Sequence, residues 1–308
     1  MKSKTVALLN ILLFVTTLAS AGQNDYDPTK VLSVGVVLFP GFQPLDVIGP
    51  LDIIQVLSGR HNMTLSTLWK ETGPVWARAP PLKNPLPPNP NLPPAIYPVQ
   101  APRFVATHTF ANAPPLDLLL VPGGQGTRVL HENNDTTVED FIVSRFDELQ
   151  YLLSVCTGAG LLAKSGVLAG RRATTNKAAW AWVTQFGDGE VEWVPTARWT
   201  EDGKVWTSSG VSAGIDMAYA FFRRLLGPAA VDPVMNALEH PPHTDERWDP
   251  YSVVHDVPGA DKGRSLGDCV GPVGYEFECS GQGAMAAHTN KHVSHFAELP
   301  PIAREIIN

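Results

Sequence analysis

Five consecutive residues, Ser154-Val155-Cys156-Thr157-Gly158, carry the strongest chemical signal in this 308-residue sequence. An apolar run over 151–155 leads directly into a thiol, and the small residues Gly158, Ala159 and Gly160 follow it. A strand that enters a reactive residue on a sharp turn before a helix has the layout of a nucleophile elbow. A thiol at a helix N-terminus faces free N–H groups and the positive end of the helix dipole, which favour the thiolate and lower its pKa. The same amides can hold a developing anion. Those residues also fit an inert buried cysteine, a small hydrophobe among others. Two further places carry polar or permissive residues where the chain is otherwise apolar. Asp46 interrupts the run Leu45-Asp46-Val47-Ile48-Gly49-Pro50, and a carboxylate there is costly unless it is satisfied. It reads as an acid in a site or as a helix N-cap. Gly123-Gly124 closes another apolar run and lets backbone approach a ligand, or simply turns.

The elements needed to bring these residues together are legible as an alternation. Residues 31–39 read as a buried strand ending at Pro40-Gly41, and 45–57 as a helix with Gly49-Pro50 near its start. Strands follow at 64–69, 116–121 and 151–155. Helices are expected at 136–147, with a capping pattern of Thr136 and Glu139, then after Cys156 as far as Lys164, around 180–183 and at 214–226. A hairpin is expected over 198–208 about Glu201-Asp202-Gly203. Strands alternating with helices imply an α/β sandwich on a mostly parallel sheet. Cys156, Asp46 and Gly123-Gly124 all follow strands, and open α/β sheets place their sites at that carboxyl edge.

Two segments break the rhythm. Residues 79–102 hold ten prolines in 24 positions, a surface loop inserted in the domain. Residues 243–308 lose periodicity and read as an irregular C-terminal extension. At the other end, Lys2 and Lys4, an apolar run over 6–18 and Ala19-Ser20-Ala21 have the form of a signal peptide cut after Ala21, with 22–30 a linker to a domain over 31–242. The expectation is a secreted protein without stable membrane insertion. In that compartment Cys269 and Cys279 would form a disulfide, leaving Cys156 single. Asn62 and Asn134 begin N-x-[ST] sequons. A net charge of −7 without a basic stripe argues against a nucleic-acid partner. The spacing of His288, His292 and His295 could bring them together on a helix, but no acidic or cysteine partner has clear metal-ligand spacing, so no metal is expected.

Several motifs in order resemble the ThiJ/PfpI superfamily, which shares the class I glutamine amidotransferase fold. They are Val36-Val37-Leu38-Phe39-Pro40, Leu45-Asp46-Val47-Ile48-Gly49-Pro50, Leu68-Trp69-Lys70-Glu71, Pro115-Leu116-Asp117, Val121-Pro122-Gly123-Gly124, Ser154-Val155-Cys156-Thr157-Gly158, Leu168-Ala169-Gly170-Arg171-Arg172-Ala173-Thr174-Thr175 and Ala213-Gly214-Ile215-Asp216. Within it the likeness is to bacterial isonitrile (isocyanide) hydratases. The resemblance implies a flavodoxin-like three-layer sandwich, a homodimer, a small-molecule substrate and no cofactor. It implies that Cys156 is the nucleophile, Asp46 the acid hydrogen-bonded to it, and Thr157 a positioning group. Gly123, Gly124 and Gly158 would lie at the substrate and its oxyanion. Three departures stand out, the first being that export, the proline insertion and the C-terminal extension are untypical of the bacterial enzymes. Thr157 occupies the place of a histidine found in protease-like and glyoxalase-like relatives, and Asn176-Lys177 stands where the family often has His-Trp. The functions compatible with these residues are isonitrile hydration, another cysteine-dependent hydrolase or carbonyl-detoxifying activity, or an exported binding module.

Overall fold

In the computed structural model the described residues are 27, 29–83, 101–264, 266, 270, 273 and 274. The expected signal sequence, most of the proline insertion, Cys269, Cys279 and the last 34 residues lie outside them. All described residues except Gly274 belong to one compact unit, Met1–Val273.

Runs of Val and Leu become strands buried on both faces, as parallel strands between helix layers must be. β1 (Leu32–Val37) runs into α1 (Pro44–Ser58), and β2 (Met63–Trp69) follows. Next come β3 (Gly73–Trp76), β4 (Arg103–Ala106), β5 (His108–Thr109) and β6 (Leu118–Val121), whose four residues are all buried. α2 (Gly126–Glu132) and α3 (Thr137–Phe146) lead to β7 (Tyr151–Val155) and α4 (Gly158–Lys164). β8 (Arg172–Ala173), α5 (Trp180–Val183) and β9 (Glu192–Trp193) are short. The hairpin of β10 (Trp199–Asp202) and β11 (Val205–Ser208) precedes α6 (Val211–Leu226), α7 (Pro228–Ala237) and α8 (Tyr251–Val254).

Seven strands form the central sheet in the order β10-β11-β7-β6-β1-β2-β5, parallel except for the β10–β11 hairpin. Flanking it, α1, α6 and α7 pack on one another, and α4 packs with α2 and α3. The architecture is the α/β sandwich expected. From β1 the chain steps one way to β2 and later returns on the other side as β6. The crevice between the carboxyl ends of β1 and β6 is therefore the topological switch point, where such sheets bind ligands.

Two local expectations are corrected. Pro50 lies in the middle of α1, not at its start. It brings no N–H to the Asp46 carbonyl, so the turn carrying that acid loses one helical bond. Thr136 does not cap α3: its hydroxyl donates to Asp140, while Asp135 accepts from both the N–H and the hydroxyl of Thr137. Glu139 pairs instead with Lys164 across α3 and α4. The proline insertion 79–102 is flanked by β3 and β4, which pair antiparallel on either side of it.

Beyond residue 242 the chain begins as an ordered strap. The Arg198 and Asp249 N–H groups donate to the carbonyls of Glu246 and Thr196, and Trp248, Ser252 and Val257 are buried. The Arg198 guanidinium, itself buried, contacts Asp216 at 2.6 Å and Asp249 at 3.7 Å. The other Asp216 oxygen accepts from the His243 N–H and faces the His240 ring at 3.3 Å. Pinned by buried charge rather than by an amphipathic face, this segment has no periodicity to read.

Candidate active site

Cys156 directly follows β7 with φ at +59°, a left-handed conformation that few non-glycine residues adopt. The strain is held on both sides. The Cys156 N–H donates to the Ser208 carbonyl at 3.2 Å, and the Thr175 hydroxyl donates to the Cys156 carbonyl at 2.8 Å. The turn also needs small neighbours. A Cβ on Gly123 would stand 2.4 Å from the Thr157 nitrogen, and one on Gly158 would stand 2.4 Å from the Val121 carbonyl oxygen. Only glycine lets the β6 and β7 loops approach this closely.

The geometry joins residues from three strand ends. Asp46, fully buried in the first turn of α1, accepts the Gly123 N–H on Oδ2 at 2.9 Å, across the switch point. Its Oδ1 is buried and has no hydrogen-bond partner. Thr157 Oγ1 accepts the Gly124 N–H at 2.9 Å and faces Thr127 Oγ1 at 3.2 Å. Thr127 in turn donates to the Gly124 carbonyl at 2.8 Å. The Gly123 and Gly124 amides, expected beside a substrate anion, are thus engaged by the side chains of Asp46 and Thr157. They position the acid and the hydroxyl. Gly158, the first residue of α4, acts through close packing.

Burial sets the electrostatics. It pushes the Asp46 carboxyl from 3.8 up to about 7, and the single Gly123 N–H only partly opposes this. The Cys156 thiol is likewise pushed up, first by burial and then by the Asp46 negative charge. The Thr157 N–H, the Asn176 side chain and the Thr157 hydroxyl pull it back in part. A helix terminus does not make this thiol a free thiolate, because desolvation outweighs it. The expected hydrogen bond between Asp46 and Cys156 is not formed, since Oδ2 accepts from Gly123 and Oδ1 has no partner; the two groups are coupled through the Asp46 charge.

Three contributors are not legible in the sequence as site residues. Asn176 reads there as the loss of a histidine, yet its amide bonds the sulfur in that place. Its Oδ1 accepts the Ala179 N–H at 3.0 Å, which fixes the amide with its NH2 toward the site. Thr175 lies in the Ala173-Thr174-Thr175 motif, whereas Thr127, in the first turn of α2, gives no sequence signal. Asn62 and Asn134 are exposed and lie in loops, Asn134 with φ at +52°. Among the described residues, no group of three or more His, Cys, Asp or Glu side chains could hold a metal, and no helix is long and apolar enough to cross a membrane.

A parallel sheet with a strained cysteine after one central strand and a buried acid after another defines a class, and comparison with known proteins agrees. Residues 99–224 match the model of the DJ-1/PfpI family. The chain is 32% identical over 211 residues, 68% of its length and 79% of the relative's, to an isonitrile hydratase of Pseudomonas putida. The chain belongs to the DJ-1/PfpI (ThiJ/PfpI) family. Among solved structures, a ThiJ/PfpI family protein from Pseudomonas syringae superposes with a TM-score of 0.56 at 22% identity, over 76% of this chain and 86% of that one. Drosophila melanogaster DJ-1beta gives 0.51 at 17% identity, over 68% of this chain and 99% of that one. These two share the fold.

Proposed function

We propose that this protein is a cofactor-independent thiol enzyme that hydrates an isonitrile to an N-substituted formamide through Cys156. The observation that carries the reading is the pairing of a buried carboxyl, poised near pH 7 with one oxygen unpartnered, with a cysteine whose side-chain neighbours are Asn176 and Thr157 rather than a histidine. The likeness to an isonitrile hydratase supports it. Peptidase or amidotransferase chemistry uses a Cys-His pair, which these positions lack. Addition to an isonitrile needs a nucleophile and one group that moves a proton.

In the proposed reaction Asp46 takes the thiol proton as sulfur attacks the terminal carbon of R–N≡C. It then delivers that proton to the same carbon, leaving the thioimidate Cys–S–CH=N–R. Water adds across the C=N bond, and the tetrahedral adduct expels the thiol, which recovers its proton. The product is R–NH–CHO, and every atom of the water is accounted for. Thr157 and Asn176 donate to sulfur and stabilise it when charged. We propose also that the enzyme is exported, with residues 1–21 removed, that it carries glycans at Asn62 and Asn134 and a Cys269–Cys279 disulfide, and that it acts as a homodimer. Formamide production from phenyl isonitrile, measured beside Cys156→Ala, tests the reading. Turnover lost in the variant upholds it, and absence of turnover in the wild type overturns it.

A further inference from the structure

A cavity of about 400 Å3 lies beside the site, with Asn176 in its lining and Cys156, Asp46 and Thr157 outside it. Its wall is made by the neighbours of the reacting groups: Leu45, next to Asp46; Asn176, which bonds the Cys156 sulfur; and Ser209 and Gly210, which follow the carbonyl that receives the Cys156 N–H. The lining also includes Asp249, Tyr251 and His255 of the strap, beyond the residues 99–224 that match the family model. Leu45 is 44% exposed and Tyr251 52% exposed, so two large apolar side chains stand half bare at one concavity. Such uncovered apolar surface inside a pocket of ligand size is what a bound molecule covers.

The charges nearby are turned away from an incoming ligand. The Arg198 guanidinium is held by Asp216 and Asp249. The Lys177 ammonium donates to Thr174 Oγ1 at 2.7 Å and to the Ala197 carbonyl at 2.8 Å, both in the interior. With Arg198, Asp249 and Lys177 engaged, the His255 imidazole is the remaining basic side chain of the lining, and a flat apolar group meets the Tyr251 ring and the Leu45 side chain.

We propose that this cavity is the pocket for the R group of the substrate, that it selects a neutral aromatic group, and that the strap residue Tyr251 is the specificity determinant. The isonitrile part of that statement rests on the hydratase reading; the pocket does not. The test therefore uses two kinds of probe. N-phenyl iodoacetamide and iodoacetamide both alkylate a thiolate, the sulfur displacing iodide. Labelling of Cys156 is followed by peptide mass, and each rate is divided by that of free glutathione. The wild type is expected to favour the phenyl reagent by about tenfold, the scale of one aromatic contact plus its burial. Tyr251→Ala brings the ratio near one, Tyr251→Phe retains it, and Val254→Ala, at an exposed neighbour outside the cavity wall, also retains it. A wild-type ratio near one, a ratio that survives Tyr251→Ala, or no labelling of Cys156 by either reagent overturns the pocket. Phenyl and methyl isonitrile are then compared for hydration, and the same preference and the same loss in Tyr251→Ala are expected. If the alkylation preference stands while neither isonitrile is hydrated, the hydratase reading falls and the aromatic pocket remains.

Discussion

Two buried carboxylates in this molecule, Asp216 and Asp46, are treated in opposite ways. Asp216 has both oxygens occupied, by the Arg198 guanidinium on one and the His243 N–H on the other. Asp46 is equally buried, receives one N–H, and keeps an oxygen without a partner. The first arrangement ties α6 to β10 and to the strap. The second leaves an acid whose charge is not compensated, so its carboxyl rises to about 7. Satisfied buried charge builds the scaffold here, and the unsatisfied group is free to exchange a proton. The costs of burying a charge make that distinction readable from hydrogen bonds alone.

The contrast can be broken from either side. Cys156→Ala removes the proposed nucleophile and should lower isonitrile turnover by about 10⁴-fold or more, measured as formamide formed. Asp46→Asn keeps an acceptor for the Gly123 N–H but cannot move a proton, and should cost roughly 10²–10⁴-fold in kcat. The same variant should be more stable than the wild type at alkaline pH. The Asp46 carboxyl is raised on folding, so the stability it carries is complete below pH 3.8 and is lost as pH climbs through about 7. Urea denaturation should therefore show Asp46→Asn gaining up to about 4 kcal/mol at pH 8 and little at pH 4. For Asp216 the sign reverses: Arg198→Met strands two carboxylates and should cost about 3–5 kcal/mol of stability. Asn176→Ala removes one donor from the Cys156 sulfur, so the thiol pKa rises further. Alkylation of Cys156 by iodoacetamide at pH 7 should slow by about tenfold, the equivalent of one pKa unit. The smallest effect is expected at Thr127, where Thr127→Val should lower kcat by a few-fold and Thr127→Ser should restore it, since the hydroxyl acts only through Thr157 and Gly124.

Much of this architecture is legible in the sequence alone. Val/Leu runs closed by Pro-Gly or Gly-Gly mark β1 and β6, and they carry Asp46 and Gly123 to one edge. The apolar run into Cys156 marks β7 and the elbow. What escapes depends on the tertiary environment. A sequence places Cys156 before a helix but does not state how deeply it is buried, and burial reverses the direction of its pKa shift. Asn176 reads as a missing histidine when residue types are set against a motif, while its contact with sulfur depends on the fold. The strap carries few apolar residues in any period, and its anchor is the Arg198 cluster, whose members lie at 198, 216 and 249. Pro50 marks a helix start by propensity, yet packing carries α1 through it.

The central claim is that Asp46 takes the Cys156 proton and delivers it to the substrate carbon. The dependence of kcat/KM on pH between 5 and 9, for phenyl isonitrile with the wild type and Asp46→Asn, tests that claim most directly. Below about pH 7 the pair holds two protons and sulfur cannot attack; above it the pair holds one. The wild-type profile should rise through about pH 7 to a plateau, and that of Asp46→Asn should lie at least about 100-fold lower with no inflection there. A wild-type profile flat across that range, or an Asp46→Asn enzyme that keeps wild-type turnover, would contradict it.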